Sequence, residues 1–64
     1  MNLLRIDEVE AKTGLHRATI GRLERAGRFP RRRMAAARSV RWVDKEVDRW
    51  IEELPESGRK GDDA

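Results

Sequence analysis

The sequence of 64 residues contains no cysteine and only one histidine. The absence of cysteine excludes disulfides and thiolate zinc sites, and His16 alone cannot form a metal site. No apolar run approaches the roughly 18–20 residues that span a bilayer, and the first residues lack the apolar segment of a signal peptide. We therefore expect a soluble cytoplasmic protein without a membrane segment, a metal or a cofactor.

The chain also lacks the residue groupings that catalysis needs. It has no Ser/His/Asp grouping and no glycine-rich phosphate loop, and its length suffices for one small hydrophobic core. Glu52 and Glu53 are neighbours on a charged helix face and do not form an acid/base pair. The sequence therefore predicts that the protein is not an enzyme.

Lysine is absent between His16 and Arg41, although this segment is strongly basic. The segment holds nine arginines and one acid, Glu24, for a net charge of +8. The remaining residues hold six Lys/Arg and eleven Asp/Glu, a net of −5, in agreement with the total of +3. Such segregation creates a local positive field, and the planar guanidinium suits phosphates and guanine edges. The pattern favours a polyanionic partner over the alternative, chance clustering on a solvated surface.

Two short helices separated by a glycine turn are predicted in the first half of the chain. The first begins with Asp7 as N-cap, ends near Thr13 and directs Val9 inward. The turn consists of Thr13-Gly14-Leu15. A three-residue turn with glycine between two short helices is typical of a helix-turn-helix.

The second helix is predicted to begin at His16 or Arg17 and to end at Gly27. Ile20 and Leu23 lie three residues apart and share its inward face. His16 is a mediocre N-cap, and Gly21 costs about 1 kcal/mol relative to alanine in mid-helix. Gly21 either permits close approach to another backbone or is a tolerated local weakness.

A two-stranded hairpin is predicted after Phe29, which we expect to anchor the core. Residues 31–34 and 39–42 form its strands and residues 35–38 its turn, with Val40 and Trp42 facing inward. The competing interpretation joins residues 34–37 to a helix, since alanine is the best helix former.

The third helix is predicted to begin with Asp44 as N-cap and to stop before Pro55. Its amphipathic stripe is Val47, Trp50, Ile51 and Leu54. Trp42 and Trp50 are the largest apolar side chains and are expected to cap the core. Residues 55–64 are polar, and we expect them to form a disordered tail.

The order and spacing of several short motifs resemble the AlpA family of small phage-encoded or prophage-encoded transcriptional regulators, which belong with the excisionase-like and MerR-like winged helix-turn-helix domains. The motifs are Leu3-Leu4-Arg5-Ile6-Asp7-Glu8-Val9, Thr13-Gly14-Leu15, Thr19-Ile20, Gly27-Arg28-Phe29-Pro30, Arg38-Ser39-Val40-Arg41-Trp42 and Val47-Asp48-Arg49-Trp50-Ile51. The resemblance implies a helix-turn-helix, a hairpin wing and a closing helix. The chain departs from the family at His16, where serine is usual, at Gly21, where an aromatic residue commonly faces the DNA backbone, and in a wing turn without glycine.

Together the residues and the resemblance predict a mainly α fold with a small β-hairpin, a winged helix-turn-helix over residues 1–54. The expected function is sequence-specific binding of double-stranded DNA by a small phage-type transcriptional regulator located at the nucleoid. The alternative is an excisionase-like architectural factor that bends DNA for an integrase.

The second helix is expected to lie in the major groove, with Arg17 and Ala18 nearest the base edges, followed by Gly21 and Arg22. Arg25 and Arg28 are expected to contact phosphates, and the hairpin arginines to flank the backbone or enter a narrow minor groove. The full set of expected DNA-binding residues is Arg17, Ala18, Thr19, Gly21, Arg22, Arg25, Arg28, Arg31, Arg32, Arg33, Arg38 and Arg41.

A module of this size buries only about 600–1,000 Å² on DNA. We therefore expect a homodimer or a cooperative array on repeated or inverted sites. An integrase and RNA polymerase are the candidate protein partners.

Overall fold

The computed structural model describes residues 2–56, so Met1 and residues 57–64, most of the expected disordered tail, lie outside the described part. Its elements in chain order are β1 (Leu3–Leu4), α1 (Ile6–Thr13), α2 (Arg17–Arg25), β2 (Arg33–Ala36), β3 (Ser39–Val43) and α3 (Asp44–Glu52). The three strands form an antiparallel sheet in the order β1-β3-β2. The predicted winged helix-turn-helix fold is confirmed, with β2, β3 and their turn as the wing.

The turn between α1 and α2 is held by its own hydrogen bonds. Gly14 adopts a φ of 75°, which L side chains rarely take, and its N–H donates to the Glu10 carbonyl at 2.7 Å. The Thr13 hydroxyl donates to the Val9 carbonyl at 2.8 Å and accepts the Leu15 N–H at 3.2 Å. The predicted end of α1 at Thr13 is therefore confirmed.

The predicted N-cap of α1 is wrong by two residues. Arg5 is the N-cap, and the carboxylate of Glu8 accepts its N–H at 2.8 Å. Asp7 lies in the first helical turn, where its charge still complements the helix dipole. The helix starts early because the extended chain of β1 ends directly before Arg5.

Strand β1 was not predicted from the sequence. Leu3 pairs with Val43 and Leu4 with Trp42, so the start of the chain adds an edge strand beside the wing. The Asn2 carbonyl accepts the N–H of Asp44 at 2.9 Å and ties the chain start to the start of α3.

Asp44 is not the N-cap of α3, contrary to the prediction. Strand β3 runs directly into the helix, so the extended residue Val43 is the N-cap and Asp44 is the first helical residue. The Asp44 carboxylate instead forms an ion pair with Lys12 of α1, with Nζ and Oδ1 2.8 Å apart. The same Nζ lies 2.7 Å from Oδ1 of Asp48. These contacts raise the pKa of the Lys12 ammonium, with Asp44 as the larger cause.

The hairpin is confirmed, but its first strand lies two residues later than predicted and its second strand ends one residue later. Met34 pairs with Val40 and Ala36 with Ser39, so one extra residue, Ala35, forms an irregularity in β2. This extra residue shortens the turn to positions 37 and 38, and Arg38 takes a φ of 63° there. The competing helix over residues 34–37 is wrong, because Met34, Ala35 and Ala36 lie in the exposed strand β2 and Ala37 lies in the turn.

The core draws one or more side chains from every helix and from the wing. Its buried cluster is Val9, Ile20, Phe29, Trp42 and Val47, all five of which the sequence predicts as inward or core residues. Leu23, Val40, Trp50 and Ile51 are partly buried against this cluster. Leu54 departs from the predicted stripe and is 47 % exposed, because α3 ends at Glu52.

The two tryptophans differ in their roles. Trp42 is a buried core residue, whereas Trp50 is partly buried and packs edge-on against Phe29 with ring centroids 4.7 Å apart. The Trp50 indole N–H donates to the Arg28 carbonyl at 2.7 Å, so this side chain joins α3 to the segment that follows α2. No helix between residues 2 and 56 is long and apolar enough to cross a membrane.

Replacing Trp50 separates its hydrogen bond from its packing. Trp50→Phe keeps an aromatic ring but leaves the Arg28 carbonyl without its donor, so we expect a loss of about 1 kcal/mol in the free energy of unfolding. Trp50→Ala also removes the contact with Phe29 and should cost about 2–3 kcal/mol. Urea denaturation measures both values, and equal costs for the two variants would contradict the assignment.

Candidate nucleic-acid interface

An open groove lies between α2 and the wing, with the start of α1 at one end. Its lining contains seven arginines and one acid, and most of the arginines come from α2 and β3. The lining residues are Arg5, Ile6, Asp7, Arg17, Ala18, Gly21, Arg22, Arg25, Arg32, Arg38, Ser39, Val40, Arg41 and Trp42. The groove therefore combines one helix face with one strand of the wing in a strongly positive surface.

The structure brings most of the expected DNA-binding residues into this groove and places the others elsewhere. Eight of the twelve lie in the groove: Arg17, Ala18, Gly21, Arg22, Arg25, Arg32, Arg38 and Arg41. Arg28, Arg31 and Arg33 line a second cleft together with Trp50 and Arg49 of α3. Thr19 is half-buried, and its hydroxyl accepts a hydrogen bond from the Arg22 guanidinium at 3.3 Å.

Sequence reasoning missed Arg5 as a member of the groove. Arg5 lies outside the basic segment between His16 and Arg41, so the count of charges did not include it. It reaches the groove because β1 pairs with β3 and places the start of α1 beside the wing. A two-residue strand leaves no periodic signal in a sequence, so no local pattern could have identified this residue.

The N-terminus of α2 has two caps where the sequence indicated a weak start. The His16 imidazole Nδ1 accepts the N–H of Ala18 at 3.0 Å, so His16 does cap the helix. Glu10 of α1 accepts the N–H of Arg17 at 2.7 Å. Two of the unpaired N–H groups of the first turn are thereby satisfied, one locally and one by the neighbouring helix.

Gly21 lies in the groove, and none of residues 2–56 outside α2 brings its backbone close to it. A β-carbon at this position would meet the Arg25 guanidinium at 3.5 Å, an ordinary van der Waals distance. Of the two interpretations of Gly21, close approach to another backbone is therefore not found. The glycine leaves the middle of the exposed face of α2 without a side chain.

Glu24, the one acid of the basic segment, is buried and binds Arg32. Its carboxylate accepts the backbone N–H of Arg32 at 2.6 Å and guanidinium N–H groups at 2.8 Å and 2.9 Å. The Arg32 guanidinium carbon lies 5.0 Å from the centre of the Trp42 ring, within range of a cation–π contact. This arrangement joins α2 to the chain entering the wing.

The pKa of Glu24 is the result of opposing effects. Burial raises the pKa of the carboxyl, but the hydrogen bonds and the charge of Arg32 outweigh burial and hold the pKa below its usual range. Glu24 is therefore ionised at neutral pH, and the same contacts raise the pKa of Arg32.

The remaining arginines fall into paired and unpaired groups. The guanidinium of Arg17 pairs with Glu10, and that of Arg33 pairs with Glu46 on α3. Arg41 donates to the Val40 carbonyl at 2.9 Å. Within residues 2–56, no carboxylate lies within 4.0 Å of the other five groove guanidinium groups, which belong to Arg5, Arg22, Arg25, Arg38 and Arg41. These five groups are the groove cations most available to an anionic ligand.

A family model described as "Prophage CP4-57 regulatory protein (AlpA)" matches residues 2–54. The chain belongs to the AlpA family. It is also 36 % identical over 59 residues to the "DNA-binding transcriptional activator AlpA" of Escherichia coli (strain K12), an alignment covering 80 % of this chain and 81 % of that relative. The match of the family model spans all six elements, so the AlpA-family assignment covers both the helix-turn-helix and the wing.

Glu24→Gln tests the ion pair that joins α2 to the wing. Because the folded-state pKa of Glu24 lies below its unfolded value, its stabilisation is present above about pH 4.3 and is lost as the pH falls through the folded value. We expect Glu24→Gln to lower the free energy of unfolding by about 1–2 kcal/mol at pH 7. The difference from the unsubstituted protein should shrink as the pH falls through the folded-state pKa of Glu24.

Glu52→Gln is the matched control, since it removes the same charge from an exposed position of α3. Chemical denaturation at several pH values measures the free energies of unfolding. A Glu24→Gln cost that is equal to that of Glu52→Gln, or that is independent of pH, would contradict the assignment.

Proposed function

We propose that the protein is a sequence-specific double-stranded DNA-binding protein that acts as a small phage-type transcriptional regulator. The observation that carries this proposal is the groove between α2 and the wing, where five of the seven arginines have no carboxylate partner in the described part of the chain. Helix-turn-helix proteins insert the second helix of the motif into the major groove, and α2 is that helix here. The name of the E. coli relative, a DNA-binding transcriptional activator, supports the same function.

Roles within the groove follow from position along α2. Arg17 and Ala18 occupy the first turn, which in helix-turn-helix proteins lies nearest the base edges, and Arg22 follows one turn later on the groove side. Arg25 lies at the end of α2 and Arg38 at the tip of the wing, where phosphate contacts position the protein without reading sequence.

We assign other roles to the arginines that lie outside the groove and to Arg32, which lies in the groove but is paired with Glu24. Arg32 is committed to Glu24 through its backbone and its side chain, so its main role in the proposal is to hold the wing against α2. Arg28, Arg31 and Arg33, which line the second cleft, are proposed only as contacts to flanking phosphates. Thr19 keeps a proposed phosphate contact through its hydroxyl.

The small size of the module extends the proposal to assembly on DNA. A single module of this size buries about 600–1,000 Å² of protein surface on DNA. That area is small for one copy to recognise a unique DNA site. We propose binding of repeated or inverted sites by a homodimer or a cooperative array, with RNA polymerase as the protein partner of a regulator.

Selection of bound duplexes from a random pool is the direct test of sequence-specific binding. We expect an enriched motif, and recovery of no motif by a folded protein would contradict the proposal. Within the selected site, Arg22→Ala should relax the preference at one position by about 1–3 kcal/mol. Arg25→Ala should weaken all sequences about equally and reduce the salt slope of binding by about 1.

The control for these variants is Arg49→Ala, which removes one positive charge from α3 in the second cleft. Fluorescence anisotropy at several salt concentrations measures the affinities and slopes. A loss for Arg49→Ala as large as that for Arg25→Ala would indicate that binding follows net charge and not the groove.

A group of exposed apolar residues in the wing favours a second candidate function, an excisionase-like factor that bends DNA for an integrase. Met34 is 71 % exposed, and the residues that follow it at 35–37 are all exposed alanines. Met34 pairs with Val40, so both side chains lie on the same face of the hairpin, and Val40 lines the groove. Apolar side chains presented in this way insert between base steps and kink the duplex.

Bending distinguishes this candidate from a simple regulator. If the wing inserts Met34, DNA fragments with the selected site at different positions should migrate differently when bound, and Met34→Ser should reduce that difference. Leu54→Ser is the control, because Leu54 is also exposed but lies beyond α3. Position-independent migration with the unsubstituted protein would rule out the architectural role.

A further inference from the structure

The first residue of α2 is held by a single residue of α1. One carboxylate oxygen of Glu10, Oε2, accepts both the backbone N–H and the side-chain Nε–H of Arg17, at 2.7 Å and 3.0 Å. The other oxygen, Oε1, accepts an N–H of Arg17 Nη2 at 3.1 Å. The Arg17 side chain is nevertheless 55 % exposed and lines the groove. Glu10 therefore orients this guanidinium without covering it.

The orientation leaves one edge of the guanidinium available. A guanidinium has five N–H donors, and Glu10 uses the edge formed by Nε and Nη2. The opposite edge, formed by Nη1 and the second N–H of Nη2, has no acceptor among the described residues. Two parallel donors on a planar group match the paired acceptors O6 and N7 of guanine in the major groove.

We propose that Glu10 is a positioning residue that fixes Arg17 so that its free edge reads a guanine, an inference that rests on the proposed DNA binding. An arginine already held in place loses less side-chain freedom on binding than a mobile one. The hydrogen bond from Arg17 is the main cause that lowers the pKa of Glu10, so the carboxylate is charged at neutral pH. A negative charge beside DNA weakens binding to every sequence, so Glu10 favours specificity at the expense of general affinity.

The variant Glu10→Gln tests this role without removing the helix cap. The amide oxygen of glutamine can take the place of Oε2 and accept the backbone N–H and the Nε–H of Arg17, but its NH₂ group cannot accept the N–H of Nη2, so the two-point contact that orients the guanidinium is lost. Glu8→Gln removes the same charge from α1 and is the matched control, since Glu8 accepts the N–H of Arg5 and does not contact Arg17. Thermal denaturation confirms that each variant is folded.

Selection from a random duplex pool is then carried out with the unsubstituted protein, with Glu10→Gln, Glu8→Gln and Arg17→Ala, and with the double variant that combines Glu10→Gln and Arg17→Ala. We expect the unsubstituted protein and Glu8→Gln to enrich guanine at one position. Glu10→Gln and Arg17→Ala should each lose about tenfold or more of that preference at the same position, with no further loss in the double variant. The affinity of Glu10→Gln for random-sequence DNA should stay the same or rise.

The outcomes that overturn the inference are distinct. A guanine preference that survives in folded Glu10→Gln shows that Glu10 only caps α2, and the proposed function stands. Tighter binding of the selected site by Glu10→Gln with unchanged preference shows that the carboxylate sequesters Arg17. Failure of the unsubstituted protein to bind duplex DNA overturns the proposed function and this inference together.

Discussion

The buried carboxylate of Glu24 connects the two parts of the protein that line the groove. Glu24 lies on α2, Arg32 lies in the chain entering the wing, and the guanidinium of Arg32 stacks on Trp42 of β3. Glu24 is only 6 % exposed, and burying a carboxylate is costly unless its charge is paired and hydrogen-bonded. Arg32 provides both through its backbone N–H and the N–H groups of Nε and Nη2. The spacing between helix and wing therefore depends on one ion pair.

Three further connections hold the other elements together, and each joins a helix to another part of the chain. Glu10 joins α1 to the start of α2, and Lys12 joins α1 to Asp44 at the start of α3. Trp50 joins α3 to the segment after α2 through the Arg28 carbonyl and the Phe29 ring. In a chain whose apolar core consists of a few residues, these polar contacts fix the angles that hydrophobic burial alone leaves loose.

The features that could be predicted from the sequence are those with local causes. Helical periodicity identified Val9, Ile20 and Val47 as buried, and glycine marked the ends of α1 and α2. Strand β1 and the N-caps of α1 and α3 could not be predicted, because each depends on the pairing of β1 with the distant strand β3, and the irregularity in β2 depends on the register of the hairpin. The contact of Glu10 with Arg17 likewise requires the two helices to be packed before it exists.

The count of charges alone overestimates the surface available to a polyanion. Nine arginines give the segment between His16 and Arg41 its net charge of +8. Yet Arg32 and Arg33 are paired with carboxylates on α2 and α3, and Arg17 is paired on one of its two edges. Of the six arginines of this segment without a carboxylate partner among the described residues, four lie in the groove and Arg28 and Arg31 lie in the second cleft. Glu24 within the basic segment, together with Glu10 and Glu46 outside it, thus determines which of its arginines are paired with carboxylates in the described part of the chain.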